Sequence, residues 1–330
     1  MKVTRQMLHE DLQPFGVYWP AHILRHFIRG KWRMKITTAI ISRTIKSEAP
    51  ESISVEERFL PTSDGEAEFR VKIYRPASQS GELPAMLYTH GGGYVTGSPD
   101  VFDGQLAKFI ERRPCVIVAP AYRNALVKPY PAALDDCYDT LLWMRDNASE
   151  LGIDASGFMI AGHSAGGGLT AAVTLKARDT KDVRIAFQMP LYPMIDDRQP
   201  ADPARYIDTP GWDTKANAFG WGSYLKDLHE RNAEIPAYAA PARNTDYRDF
   251  PPTITFVGEY EPFYWETVDY VNRLQAAGVE VAFKVYERCI HGPEQLAPDS
   301  PIGRDGIAFT YDNYADFYDR YVMESTHGSD

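Results

Sequence analysis

The amino-acid sequence predicts an α/β fold in which helices flank a mostly parallel, eight-stranded sheet. Short apolar runs rich in β-branched and aromatic residues alternate with longer helical patterns, which is typical of βαβ units around a parallel sheet. The 330 residues are 44% hydrophobic and 24% charged, an ordinary composition at a length that can bury a large core. We therefore expect one domain that spans residues 1–330.

The strands and helices can be placed in order along the chain. The first two strands, residues 52–61 and 67–76, are predicted to pair antiparallel across Ser63-Asp64-Gly65, because apolar and polar residues alternate in the second strand. The other six strands are predicted at residues 85–90, 115–119, 158–161, 185–189, 253–257 and 281–286, and the main helices at residues 101–111, 132–145, 164–177, 265–277 and 311–322.

Residues 195–243 interrupt this regular alternation. The stretch is rich in Pro and Asp, and its aromatic residues include Tyr206, Trp212, Phe219, Trp221 and Tyr224. Loops of this length are usually functional insertions such as lids. We therefore expect this segment to cover a binding site.

Charge and cysteine content exclude several classes of protein. The formal net charge of -10 repels a phosphate backbone, so we expect no nucleic-acid partner. Cys115, Cys137 and Cys289 are widely spaced and fit neither a disulfide framework nor a zinc site. We therefore predict no metal, no cofactor and a reducing compartment.

The N-terminal region lacks the apolar core of a signal peptide, which predicts a cytoplasmic protein. Residues 21–46 contain seven Lys or Arg and no acidic residue, interleaved with apolar positions. This pattern predicts a basic amphipathic helix pair broken near Gly30. Such helices can lie on an anionic membrane or pack on the acidic body of the protein, and we favour packing. Membrane association is therefore not expected.

A nucleophile motif stands where an apolar strand gives way to a helix. The segment Gly162-His163-Ser164-Ala165-Gly166 matches GxSxG, and its strand-to-helix context is the one that a nucleophile elbow requires. A tight turn of this kind strains the serine backbone and needs small neighbours. Ser164 is therefore the candidate nucleophile.

A glycine run lies upstream, directly after another predicted strand. In His90-Gly91-Gly92-Gly93 the missing side chains let backbone N–H groups approach a substrate oxygen. A flexible turn is the alternative interpretation, but the position upstream of GxSxG favours an oxyanion hole.

A serine nucleophile needs a base and an acid that orients the base, in the chain order Ser, Asp or Glu, His. His291 follows the last apolar strand and is preferred as the base over six histidines that are placed less suitably (His22, His26, His90, His163, His229 and His327). Glu261 follows the strand at residues 253–257 and is the candidate acid, with Glu259 and Glu266 as rivals.

Together, His90-Gly91-Gly92-Gly93, residues 131–137 and the serine motif resemble the hormone-sensitive-lipase-like esterases over nearly the whole chain. The resemblance implies the α/β-hydrolase fold with a helical cap, built here from about residues 1–50 and 195–243. In that family the acid lies in an Asp-Pro-Leu sequence, where this chain has Glu261-Pro262-Phe263. The resemblance thus implies a triad completed by Glu261. It also implies an oxyanion hole formed by the N–H groups of Gly92, Gly93 and Ala165.

Three further features depart from the family pattern. His163 stands where the family most often has an acidic residue before the nucleophile, and Pro293 replaces an aromatic residue after the His-Gly pair. The change at His163 leaves the serine chemistry intact. Residues 122–126 also lack the family's usual Leu-Ala-Pro-Glu continuation, and this stretch and Pro293 can both reshape the pocket.

The resemblance implies hydrolysis of short- to medium-chain carboxylic esters through an acyl-enzyme on Ser164. The expected partner is a small-molecule ester, and a homodimer is left open. Several alternatives also stay open on the sequence alone: a lactonase or acyltransferase of specialised metabolism, a non-catalytic small-molecule receptor on the same fold, and a lipase activated by lipid aggregates.

Overall fold

The structure, a computed structural model, describes residues 1–27, 48–79 and 81–324. Eight strands form one sheet, as the sequence predicts. They are β1 (Ile53–Pro61), β2 (Glu68–Pro76), β3 (Leu83–Thr89), β4 (Val116–Pro120), β5 (Ile153–His163), β6 (Ile185–Leu191), β7 (Thr253–Gly258) and β8 (Val281–Tyr286). Their order across the sheet is β1-β2-β4-β3-β5-β6-β7-β8.

The sheet is parallel except at one end. The pairs β1–β2 and β2–β4 are antiparallel, which confirms the predicted opening hairpin. The strands β3 to β8 pair in parallel. Since the carboxyl ends of parallel strands lie at one edge of a sheet, the residues that follow β3, β5, β6, β7 and β8 meet there.

Helices connect and cover the strands. They are α1 (Phe15–Phe27), α2 (Asp103–Arg112), α3 (Ala132–Asp146), α4 (Ala148–Leu151), α5 (Ala165–Thr180), α6 (Thr214–Tyr224), α7 (Lys226–Glu230), α8 (Tyr264–Ala276), α9 (Pro293–Leu296) and α10 (Pro301–Tyr318). The helix α5 packs on β5 and β6, and α3 packs on α5. Because α5 is apolar on nearly every side, it is buried along most of its length.

Two predicted elements have wrong boundaries. The strand expected at residues 158–161 begins at Ile153, with an irregular register before Met159 that a simple apolar run does not reveal. The last helix begins at Pro301, ten residues before the predicted start. Ser300 caps it by accepting a hydrogen bond from the Gly303 N–H at 3.1 Å. Two glycines in its first two turns weaken the helical pattern of the sequence.

The N-terminal segment packs on the insertion at residues 195–243. The Val3 N–H donates to the Asp208 carbonyl at 2.8 Å, and the Gly211 N–H donates to the Ala21 carbonyl at 2.9 Å. The insertion itself forms α6, α7 and short 3-10 turns. Of the basic stretch predicted at residues 21–46, residues 28–46 lie outside the described residues, and so does the predicted break at Gly30.

No helix within residues 1–27, 48–79 and 81–324 combines the length and apolar character needed to cross a membrane. The three cysteines Cys115, Cys137 and Cys289 are buried and free.

A buried ion pair ties α3 to the loop after β4. The Asp136 side chain is fully buried and accepts from the Arg123 backbone N–H at 2.8 Å and from the Arg123 guanidinium at 2.7 Å. A second guanidinium nitrogen of Arg123 donates to Asp64 in the β1–β2 turn at 2.7 Å. Arg123 therefore joins three separate parts of the fold.

Replacing Asp136 by alanine should lower the free energy of unfolding by about 3–5 kcal/mol, because a largely buried guanidinium keeps only its contact with Asp64 and a backbone N–H loses its acceptor. Urea denaturation measures this change. Asp146 is the matched control, since it pairs with Arg145 on the surface, and Asp146→Ala should change stability little. Equal effects of the two substitutions would contradict the importance given to the buried pair.

Candidate active site

Ser164 occupies a strained turn between β5 and α5. Its backbone angles are φ 58° and ψ -121°, and its side chain is nearly buried. The turn leaves no room for a side chain at Gly166, because the end of the neighbouring strand β3 lies against it. A Cβ added at Gly166 would be 2.1 Å from the Thr89 carbonyl oxygen. The local geometry is therefore that of a nucleophile elbow, as the GxSxG pattern predicts.

His291 reaches Ser164 from the loop after β8. Its Nε2 atom lies 2.9 Å from the Ser164 Oγ atom, although 127 positions separate the two residues in the chain. Two aromatic rings contact the imidazole in T-shaped arrangements, with centroids 4.8 Å away for Tyr192 and 5.1 Å away for Phe263. These contacts hold the imidazole in the plane needed to receive the serine proton.

Glu261 contacts the other side of the imidazole. Its side chain is fully buried, its Oε2 atom accepts a hydrogen bond from Nδ1 of His291, and its Oε1 atom accepts the Gly258 N–H at 2.7 Å. With Nδ1 as the donor, Nε2 of a neutral His291 is free to accept a proton from Ser164. The arrangement thus has the geometry of a serine, histidine and acid triad.

The two rival acids serve other contacts. Glu259 accepts the Arg288 N–H at 2.7 Å. Glu266 accepts the N–H groups of Ile195 and Asp196 at 2.7 and 3.1 Å, and burial raises its pKa. Of the three candidate carboxylates, the structure brings only Glu261 to His291.

Backbone N–H groups surround the position of Ser164. Those of Gly92, Gly93 and Ala165 make no hydrogen bond within the described part of the chain. The glycine run also lies directly against the elbow, since a Cβ added at Gly91 would be 3.5 Å from the Ser164 Cβ atom. These groups are therefore available to hold an oxygen atom that develops negative charge.

A mostly apolar cleft of about 300 Å³ opens over these groups. Its walls come from the glycine run, the turn before α2, the insertion and α9. The lining residues are Gly91, Gly92, Gly93, Thr96, Gly97, Val101, Phe102, His163, Ser164, Tyr192, Gly211, Trp212, His291, Gly292, Gln295 and Leu296.

Sequence reasoning missed several of these wall residues. Tyr192 directly follows β6, and the rule that ligands bind beyond the carboxyl ends of parallel strands could have found it. Phe102 and Leu296 carry no such signal, because ordinary apolar residues fill both cores and pockets. Among the aromatic residues of the insertion, Trp212 lines the cleft, whereas Trp221 and Tyr224 are buried in the core.

His90 is placed differently from His291. It is buried and stacked on Tyr122 with a centroid distance of 4.1 Å, and its Nδ1 atom lies 2.9 Å from the Gly91 carbonyl oxygen. Burial lowers its pKa to about 4. His90 therefore supports the glycine run as a neutral side chain.

Comparisons with known proteins find similar chains. A family model described as alpha/beta hydrolase fold matches residues 86–294. Esterase LipI of Mycobacterium tuberculosis is 31% identical over 278 residues, which cover 78% of this chain and 86% of that protein. Carboxylesterase NlhH of the same organism is 32% identical over 244 residues, covering 73% and 75% of the two chains. The solved structure titled Bacterial Heroin Esterase has a TM-score of 0.80 at 28% identity and covers 92% of this chain and 98% of its own.

The sheet order, the strained serine turn and these matches lead to one assignment. The chain belongs to the α/β-hydrolase family.

Proposed function

We propose that the protein is a serine carboxylesterase that hydrolyses short- to medium-chain carboxylic esters. The observation that carries the proposal is the 2.9 Å contact between the Ser164 Oγ and His291 Nε2 atoms, with Glu261 on the opposite ring nitrogen. Relatives named esterase and carboxylesterase support the same reaction class.

The first half of the proposed reaction acylates Ser164. Its hydroxyl oxygen attacks the ester carbonyl carbon while Nε2 of His291 takes the hydroxyl proton. The N–H groups of Gly92, Gly93 and Ala165 hold the resulting oxyanion. The carbon–oxygen bond to the alcohol then breaks, and His291 returns the proton to the departing alcohol.

The second half repeats these steps with water. His291 takes a proton from water, the hydroxide attacks the acyl carbon, and the bond to Ser164 breaks as His291 protonates the serine oxygen. Glu261 accepts the Nδ1 hydrogen bond of His291 and holds the imidazole in its reactive tautomer throughout. The carboxylic acid leaves and the free enzyme is restored.

The cleft supports a preference for small acyl groups. Its volume of about 300 Å³ lies at the lower end of ligand pockets, and Val101, Phe102, Trp212 and Leu296 make its walls apolar. We propose that α1 and residues 195–243 act as the cap that closes this cleft, since Gly211 and Trp212 line it.

A series of p-nitrophenyl esters from acetate to decanoate tests the proposal. We expect kcat/KM to be largest at hexanoate or a shorter chain and to fall towards decanoate, because a longer chain cannot be enclosed. A maximum at decanoate would favour a lipase. No turnover of any ester by the folded protein would favour a receptor on the same fold.

The proposal places the protein in the cytoplasm. This location is supported by the three cysteines, Cys115, Cys137 and Cys289, which are buried and form no disulfide. Cysteines usually stay unpaired in a reducing compartment.

Replacing Gly92 by alanine should lower kcat by about 10²- to 10³-fold, the usual cost of one lost oxyanion donor. The residue has φ 136°, and the new Cβ would lie 2.0 Å from the Thr96 carbonyl oxygen, so the backbone and its N–H must move. Steady-state kinetics on p-nitrophenyl butanoate measure the loss.

Gly222 on α6 is the matched control, because a Cβ there meets nothing within 4 Å. Gly222→Ala should keep the wild-type kcat and stabilise the helix by about 1 kcal/mol. If Gly92→Ala also keeps the wild-type kcat, the glycine run does not hold the oxyanion.

A further inference from the structure

His163 combines a position beside the nucleophile with a place in the wall of the cleft. It directly precedes Ser164 and is one of the few polar side chains that line the cavity. Its ring stacks on that of Phe102 and contacts that of Tyr192, with centroid distances of 5.7 and 5.6 Å. These two aromatic contacts hold the imidazole in one orientation. The esterase mechanism described above gives this ring no task.

A hydrogen bond to Tyr88 decides which ring nitrogen of His163 carries the proton. The Tyr88 hydroxyl is fully buried, and burial raises its pKa well above its usual value, so it keeps its proton. Nδ1 of His163, at 2.6 Å, is its one partner among the described residues. Because a buried hydroxyl must donate to an acceptor, Nδ1 accepts this hydrogen bond.

The other ring nitrogen is therefore a donor. Burial lowers the pKa of His163 to about 3, so the ring is neutral at physiological pH. In a neutral imidazole whose Nδ1 accepts, Nε2 carries the proton. Within the described residues nothing bonds to Nε2, and the atom is not sealed from solvent as the unpartnered Nε2 of His90 is. Since His163 lines the cleft, this N–H is available to a bound substrate.

We propose that His163 determines specificity through its Nε2–H group, which selects esters that carry a second, neutral oxygen acceptor near the scissile ester group. The inference rests on the proposed function, because it names the substrate class of the same cleft. Ether, ketone and further ester oxygens belong to this class. A carboxylate is not favoured, because a neutral N–H donor cannot offset the free energy needed to remove an anion from water.

The physical basis is the loss of water from the donor when substrate fills an apolar cleft. In the empty cleft the Nε2–H group can bind water, and a purely aliphatic substrate removes that water without replacing the hydrogen bond. An ester with an oxygen at this place restores the bond. Discrimination therefore comes mainly from the cost of an unpaired donor against the aliphatic substrate.

Pairs of esters that differ by one oxygen for one methylene test the proposal. Three such pairs are p-nitrophenyl methoxyacetate with butanoate, p-nitrophenyl 3-methoxypropanoate with pentanoate, and 2-methoxyethyl butanoate with butyl butanoate. For each pair the ratio of kcat/KM values is measured in the wild type and in His163→Phe. Comparing the two enzymes cancels the intrinsic reactivity of each ester.

In at least one pair the ratio of kcat/KM for the oxygen-containing ester to kcat/KM for the aliphatic ester should fall about fivefold or more in His163→Phe. This is the usual contribution of one neutral hydrogen bond. His163→Gln should recover most of the preference, because the glutamine amide can place an N–H donor near the position of Nε2. His229→Phe is the control for the assay, since His229 is exposed on α7 and away from the cleft. Unchanged ratios in all three pairs for His163→Phe would overturn the proposal.

The tautomer can be measured without any activity. Two-bond ¹H–¹⁵N spectra of the wild type should show a neutral His163 ring with the proton on Nε2, and His163→Gln identifies its signals by their loss. A proton on Nδ1 would overturn the proposal even if esters are hydrolysed. If no ester is hydrolysed but the proton is on Nε2, the proposed function fails while the donor itself stands.

Discussion

Replacing Ser164 by alanine is expected to lower kcat for p-nitrophenyl butanoate by about 10⁶-fold, the scale seen when the nucleophile of a serine hydrolase is removed. The contacts of the elbow do not depend on the hydroxyl: the Ser164 N–H donates to the Leu191 carbonyl at 3.0 Å, and the Ser164 carbonyl accepts the Met194 N–H at 2.9 Å. The fall in kcat should therefore come from the missing nucleophile and not from unfolding, so thermal stability should change little.

Steady-state kinetics and thermal denaturation measure the two effects side by side. Ser156→Ala is the matched control, because Ser156 is an exposed serine near the start of β5 whose hydroxyl donates to the Asp154 carboxylate. This variant should retain the wild-type kcat. An organophosphate ester should label wild-type protein at Ser164, as found by peptide mass spectrometry, and should not label the alanine variant. Substantial hydrolysis by a purified Ser164→Ala variant would show that another group forms the acyl-enzyme.

Replacing Glu261 by glutamine should lower kcat by about 10⁴-fold, and the surroundings of the side chain explain the size of the effect. The Gly258 N–H donates to Oε1, so the amide oxygen of glutamine takes that place and the NH₂ group faces His291. An NH₂ group donates, which forces Nδ1 of His291 to accept and moves the ring proton to Nε2. In that tautomer Nε2 cannot take the proton of Ser164.

Glu259→Gln is the matched control for this substitution. Glu259 lies two positions away and binds the Arg288 backbone rather than His291, so its variant should keep kcat within about twofold. The kcat of Glu261→Asp should lie between those of Glu261→Gln and Glu259→Gln, because the aspartate keeps a carboxyl group but holds it one methylene farther from His291. A Glu261→Gln variant as active as Glu259→Gln would remove Glu261 from the triad.

The local part of the site was accessible from the sequence, because its geometry depends on neighbours in the chain. The GxSxG pattern at a strand-to-helix junction correctly predicted the strained turn at Ser164. The hairpin and all eight strands were also predicted, since alternating or continuous apolar runs have few other stable arrangements. The early start of α10 was missed because the glycines in its first two turns interrupt the helical pattern of apolar residues.

The choice of the acid illustrates what a pattern cannot resolve. Glu259, Glu261 and Glu266 fall within eight positions, and all have side chains that could ionise. The turn after β7 points only Glu261 at His291, while the Ile195 and Asp196 N–H groups hold Glu266 elsewhere. Side-chain direction in an irregular turn depends on contacts that are remote in the chain, so spacing alone could not separate the three.

Sequence by itself determined the strand pattern, the elbow and a short list of candidate residues, because hydrophobic period and turn chemistry act over a few neighbouring positions. Only the tertiary structure decided which of them meet: Ser164 and His291 are 127 positions apart, and Tyr88 is 75 positions from the His163 ring whose proton it places. Those contacts arise because parallel strands deliver their carboxyl ends to one edge of the sheet, a property of strand order that no local pattern contains.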